Sequence, residues 1–236
     1  MRPRLLRTTL LILLLVFVIA VGGILTLLFP SRYDNLPELE TGDLIFQTLP
    51  SPFAPAIAAS TNSLLTHVGI IMVTDDGPVV MDSAGVIRNW TLDTFVQRGL
   101  GNKFRIYRHK DMTPEKQEAL LTALQPYYGR HYDIFFLFGN PELYCSELVW
   151  EAFNAIGLSA GTIERLGDLD TDNYVTQTTI KRIAPFHPYC RENINMSQEA
   201  CISKIMEQEL VSPVSITRDP NYTQIYNNYP FASWLN

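Results

Sequence analysis

The sequence predicts an α+β domain, an antiparallel sheet packed against helices, preceded by one transmembrane helix. Three observations predict it. Strand patterns crowd the first half of the domain and helix patterns follow, without the regular alternation of a parallel α/β fold. The stretch from His67 to Asp82 carries a β-hairpin signature. Thr8 to Phe29 contains no charged residue and is mostly Leu, Ile, Val and Phe, long enough as a helix to cross a hydrocarbon core.

The leading segment comes first. A cleavable signal peptide has a shorter apolar region ending at a small-residue site, and no such site follows Phe29, so the run reads as an uncleaved anchor. Arg2, Arg4 and Arg7 precede it, and Asp34, Glu38 and Glu40 follow. The positive-inside rule leaves the N-terminus in the cytoplasm and the body on the outer, periplasmic side of the cytoplasmic membrane. The whole chain of 236 residues has a formal charge of −6; removing the +3 of residues 1–30 leaves −9 on the body. An acidic body argues against a nucleic-acid binder, and 11% aromatic residues argue against disorder. The expected organisation is a cytoplasmic tip and anchor over 1–30, a polar linker over 31–41, and one domain over 42–236.

Within the domain, Leu44–Phe46 reads as a strand. Residues 48–66, rich in Pro, Ala, Ser and Thr, read as a loop with one short helix. His67–Val73 is rich in β-formers, Asp75-Asp76-Gly77 makes a turn, and Val79–Asp82 returns. Strands are expected at 86–90 and 104–107, with a short helix at 92–97. Thr113-Pro114-Glu115 is a helix start, and Gly129 ends the element. Cys145–Ile156 is a second helix with Leu148, Val149, Ala152 and Phe153 as its apolar stripe, stopped by Gly157. Residues 158–180 read as loop, 197–210 as a short helix and Val214–Thr217 as a last strand.

Three cysteines in an exported domain suggest one pair and one free thiol. Cys190 and Cys201, eleven apart, are the candidate bridge, which leaves Cys145 free. The alternative of three unpaired cysteines, with Cys145 an inert core residue, stays open on these grounds.

Cys145 falls at a helix N-terminus, where free N–H groups and the positive dipole end favour a thiolate. His67, first in its strand after a loop, is the candidate base. With the hairpin turn near 75–76, Asp82 falls opposite Gly69, diagonal to His67, and is the candidate to orient the imidazole. A zinc site from His67, Asp82 and Cys145 lacks any paired-ligand motif, so no metal and no cofactor is expected. His109, His131 and His187 read as surface or packing residues.

Gly42-Asp43-Leu44-Ile45-Phe46, Thr66-His67-Val68-Gly69-Ile70, Gly129-Arg130-His131-Tyr132-Asp133 and Tyr144-Cys145-Ser146-Glu147-Leu148-Val149 occur in that order. Together they resemble the permuted papain-like amidases of the YaeF/YiiX type, within the NlpC-like cysteine hydrolases. The resemblance implies a circularly permuted papain-like fold, with Cys145 as nucleophile, His67 as base and Asp82 as the third residue, where relatives often carry Glu. It implies a thioacyl intermediate, with the Cys145 N–H as oxyanion donor and Tyr132 or Tyr144 as candidate phenolic donors. The expected function is therefore a membrane-anchored cysteine hydrolase of peptide or peptidoglycan-type amides. Two alternatives stand beside it: a lipid-directed thiol acyltransferase or acyl hydrolase, and an anchored binding module without turnover. Apolar residues of the 48–65 loop, Phe53, Ala54, Ile57, Ala58, Leu64 and Leu65, bear on the choice, as an acyl slot or as packing.

Overall fold

The computed structural model describes residues 35–192 and 195–230. The expected membrane span, Thr8–Phe29, lies outside these residues. No helix among the described residues is long and apolar enough to cross a membrane. From Pro37 onward the described residues form one compact unit. Residues 40 and 41 are already tied into it: the Glu40 N–H donates to Asp43, and Thr41 Oγ1 accepts from the Val73 N–H.

Among the described residues, six strands make one antiparallel sheet in the order β4-β3-β2-β1-β5-β8. They are β1 (Leu44–Gln47), β2 (His67–Thr74), β3 (Gly77–Asp82), β4 (Arg88–Thr91), β5 (Phe104–His109) and β8 (Tyr222–Asn227). The hairpin of β2 and β3 pairs Thr74 with Gly77 and Ile70 with Met81, the register expected from a turn at Asp75-Asp76. Gly77 supplies the positive φ of 109° that this turn needs.

Helix α1 (Ala54–Thr61) fills the connection from β1 to β2, and α2 (Leu92–Arg98) follows β4. Thr91 caps α2, its side chain accepting from the Thr94 N–H. Helix α3 (Pro114–Leu124) starts at the cap Thr113 and gives way at Gln125–Tyr127 to a tighter 3-10 turn containing Pro126. Helix α4 (Cys145–Ala155) buries Leu148, Val149, Ala152 and Phe153 against alternate residues of β2, namely Val68, Ile70 and Met72. This packing sets the N-terminus of α4 beside the start of β2.

The second half departs from the sequence expectation in three places. Residues 158–180 are not all loop: they contain β6 (Glu164–Arg165) and the start of α5 (Tyr174–Ile183), which Asn173 caps. The threonines and valine of α5 masked its helical period. Helix α6 (Pro188–Arg191) and α7 (Gln198–Met206) follow, and β7 (Glu209–Leu210) pairs with β6. Val214–Thr217 is not a strand but lies in α8 (Pro213–Arg218). The Ser212 cap and Pro213 at the first turn outweigh its β-branched residues. The last strand is instead β8, whose Tyr-Thr-Gln-Ile-Tyr-Asn pattern is that of a half-exposed edge.

Helices α5 to α7 form a cap around a small apolar core of Ile180, Ala184, Cys201 and Ile205. A Cys190–Cys201 disulfide joins α6 to α7, and Cys145 is a free thiol.

Candidate active site

Cys145 is the first residue of α4, His67 the first of β2, and Asp82 the last of β3. The contact of α4 with β2 and the pairing of β2 with β3 bring the three together. All are buried, with Asp82 inaccessible to solvent. His67 Nε2 lies 2.7 Å from Asp82 Oδ2. The Cys145 side chain is the imidazole's other electrostatic neighbour. Asp82 engages Nε2, which leaves Nδ1 as the nitrogen free to serve the thiol.

Asp82 has two further partners that the sequence reading missed. Trp90 Nε1 donates to Oδ1 at 2.8 Å, and the Arg98 guanidinium donates to Oδ2 at 3.0 Å. Arg98 also stacks over the Trp90 ring, 4.5 Å from its centroid. Phe95 of α2 stacks on the His67 ring at 5.7 Å. These contacts cross from β4 and α2 to β2 and β3, so no local motif announces them. The signal was the strand register, which sets Asp82 opposite Arg88 and so brings β4 to the site.

The electrostatics follow from this packing. Burial opposes the charge on His67. The charge of Cys145 and the hydrogen bond the ring donates to Asp82 outweigh it and push the imidazole up to about 9. Burial likewise opposes the Cys145 thiolate, but the imidazolium and the Val68 N–H hold the thiol below its ordinary value. Asp82 is held low, against its burial, by His67, Arg98 and Trp90. Each charge favours the other: the imidazolium lowers the thiol, and the thiolate raises the imidazole.

Tyr132 and Tyr144 separate. Tyr132 is held by its N–H to Gly85 O at 2.6 Å and by the Val86–His131 bridge. It lines the cleft beside His67, and burial, then the Cys145 charge, keep its phenol well above the usual range and protonated. Tyr144 does not border that cleft and lines the slot beside Cys145 instead. Its hydroxyl accepts from the Val211 N–H at 3.0 Å and ties the start of α4 to the chain before α8. Ser146 makes the same tie, Oγ donating to Val211 O at 2.6 Å. His109 packs against Tyr222, and buried His187 meets Gln208. His131 is exposed.

Glu147 pins the loop ahead of Cys145. Its carboxyl accepts from the N–H groups of Gly139 and Tyr144. Asp133 orders the same loop, accepting from the N–H groups of Phe135 and Leu137 and from Asn140.

Two spaces meet at the pair. On the His67 side an open cleft of about 500 Å³ is bordered by Pro50, Phe53, Thr66, Arg98 and Tyr132. On the Cys145 side a narrow, almost wholly apolar slot of about 100 Å³ runs past Phe53, Ile57, Phe136, Ile180 and Val211 towards the cap. Of the apolar residues in the 48–65 loop, Phe53 and Ile57 line the slot. Leu65 packs in the core, Ala54 is buried, Ala58 is half-buried and Leu64 is exposed.

Comparison with known proteins matches residues 38–226 to the family described as permuted papain-like amidase enzyme, YaeF/YiiX, C92 family. The chain is 26% identical over 197 residues to the uncharacterized protein YiiX of Escherichia coli K12, covering 83% of this chain and 90% of that protein. Among solved structures it is similar to that of a protein called metalloprotein YiiX, from Escherichia coli O157:H7. There the TM-score is 0.70 and the identity 27%, over 81% of this chain and 98% of that one.

Proposed function

Because the chain belongs to the C92 family of permuted papain-like amidases, we propose that it is a cysteine hydrolase that cleaves amide bonds through a thioacyl intermediate on Cys145. The observation that carries this is the buried set: a thiol at a helix N-terminus, an imidazole coupled to it, and a carboxylate 2.7 Å from the imidazole.

The Cys145 thiolate attacks the substrate carbonyl, forming the S–C bond. The carbonyl oxygen, now negative, is met by the Cys145 N–H and the Tyr132 hydroxyl. His67 passes its proton to the leaving nitrogen as the C–N bond breaks. A water then gives a proton back to His67 and its oxygen to the thioacyl carbon, releasing the acid and restoring the ion pair. Asp82 keeps the imidazole aimed and stabilises its charged form.

The solved relative is called a metalloprotein, which raises the question of a metal here. Among the described residues no group of three or more His, Cys, Asp or Glu side chains is placed to hold one. No step above passes through a metal.

The slot favours a second reading of the acyl half. A carbonyl at Cys145 places its substituent in an almost wholly apolar slot, which suits a hydrocarbon chain better than a charged peptide. Acyl hydrolysis or transfer from a lipid is then the alternative chemistry at the same thiol. The uncharged run Thr8–Phe29 supports an anchor in the cytoplasmic membrane, with the domain on its outer face, near both peptidoglycan and lipid.

The test incubates the detergent-solubilised full chain, and its Cys145→Ala variant, with peptidoglycan digests and with phospholipids. Mass spectrometry reads products and any acyl adduct. The proposal expects products from the wild type alone and an adduct mapping to Cys145. Equal products from Cys145→Ala refute it. Products from phospholipid alone select the second reading.

A further inference from the structure

With Cys145 read as the nucleophile and His67 as the proton donor, the leaving half of the substrate belongs on the His67 side, where the open cleft lies. Among the described residues lining it, Arg98 is the only Asp, Glu, Lys or Arg. Its guanidinium is held in place by the bond to Asp82 and by the Trp90 ring. One of its five N–H donors meets Asp82. Its side chain keeps 22% of its surface exposed. Arg98 Nη1 and His67 Nε2 share the same Asp82 oxygen, at 3.0 and 2.7 Å, so they lie less than 6 Å apart. Arg88 rests against the same Trp90 ring at 4.0 Å and adds a second positive charge at this edge of an otherwise acidic chain.

The chemistry of the leaving group fits this placement. His67 protonates the departing nitrogen. In an amide made to an amino acid, the carboxylate carbon is two bonds from that nitrogen, so the carboxylate falls on the cleft wall near the imidazole. A fixed guanidinium with remaining donors is the side chain suited to bind it. The apolar slot on the other side of Cys145 offers nothing for a charge.

We propose that Arg98 is a specificity residue that binds a carboxylate on the leaving amine, so that the amide cleaved is one formed with an amino acid or a carboxy-terminal residue. This rests on the reading of Cys145 as nucleophile and names the substrate class of that same site.

The test compares alkylation of Cys145 in the full chain by iodoacetate and by iodoacetamide at neutral pH. Both form the same S–C bond with loss of iodide and differ in the negative charge. The ratio of the two rates cancels any general change in thiolate reactivity. Arg98→Gln should lower the ratio of iodoacetate to iodoacetamide by about fivefold or more, the loss expected for one charge-assisted contact. Arg98→Lys should keep most of it. Arg88→Gln, which leaves the bonds to Asp82 in place, should lower it less. Raising the salt concentration should pull the wild-type ratio towards that of Arg98→Gln. A ratio in Arg98→Gln within twofold of wild type overturns the proposal, even if both rates fall, because Arg98 then acts only through Asp82. If neither reagent modifies Cys145 in the wild type, the nucleophile reading goes and this proposal with it.

Discussion

Cys145 is buried, and burial alone would silence a thiol. Its reactivity depends on His67 remaining charged beside it, and His67 in turn depends on Asp82. The shortness of Asp, where relatives often have Glu, does not break this chain, because the hairpin register brings its carboxylate within 2.7 Å of the imidazole. Removing the charge but keeping the shape tests the dependence. Asp82→Asn should move the alkaline limb of hydrolysis to lower pH than in the wild type, because one of the groups that push the His67 imidazole up to about 9 is gone. A limb that stays in place would show that Asp82 only packs. Asp82→Ala, which also removes the orienting bond, should slow hydrolysis by about 100-fold, read from kcat/KM.

At the scale of elements, helix α4 is held at its first turn by Glu147. Burial first, then Glu151 and Asp133, push this carboxyl up to about 8, against the two backbone N–H bonds it accepts. A carboxyl whose folded value is raised stabilises the fold fully below the ordinary glutamate range and loses that contribution as pH rises towards 8. Glu147→Gln stays neutral throughout. Its Tm relative to wild type should therefore increase from pH 5 to pH 8; a constant difference would contradict the assignment. Strand β2 makes a second element-level prediction. A Cβ on Gly69 would sit 2.5 Å from Val80 Cγ1 and 3.0 Å from Phe95, the residue that stacks on His67. Gly69→Ala should cost about 1–3 kcal/mol in chemical denaturation.

The same elements show what can be read from the chain and what cannot. The β2–β3 hairpin and helix α4 were legible because their periods, turn and stop signals agree, and they carry Cys145, His67 and Asp82. Arg98, Trp90 and Phe95 were not legible, because they reach the site across strands and from a helix with no motif of its own. Helix α8 was misread because Val214, Ile216 and Thr217 favour strands, while the cap Ser212 decides the outcome. The slot was visible only as a set of apolar residues in the 48–65 loop. Its far wall comes from Ile180 and Ile205, more than 100 residues later.

The molecule as a whole divides its labour around the thiol. The sheet and α4 hold the reacting groups, and the cap of α5 to α7 closes the slot. The cap has a core of its own, stapled by Cys190–Cys201 across eleven residues. Cys190→Ser with Cys201→Ser should lower stability by about 2–3 kcal/mol, the range expected for a short loop. It should leave the iodoacetamide rate of Cys145 near wild type, since no cap residue contacts His67 or Asp82 through a described hydrogen bond. A collapse of that rate would mean that the cap also supports the reacting groups.

The central claim is that Cys145 and His67 exist as a thiolate–imidazolium pair at neutral pH. The most direct measurement is the pH dependence of Cys145 alkylation by iodoacetamide in the full chain and in His67→Ala. The pair predicts a wild-type rate that stays high well below the ordinary thiol range, and a His67→Ala rate that falls steeply through neutrality. Superimposable profiles, both rising only near the ordinary thiol value, would contradict it.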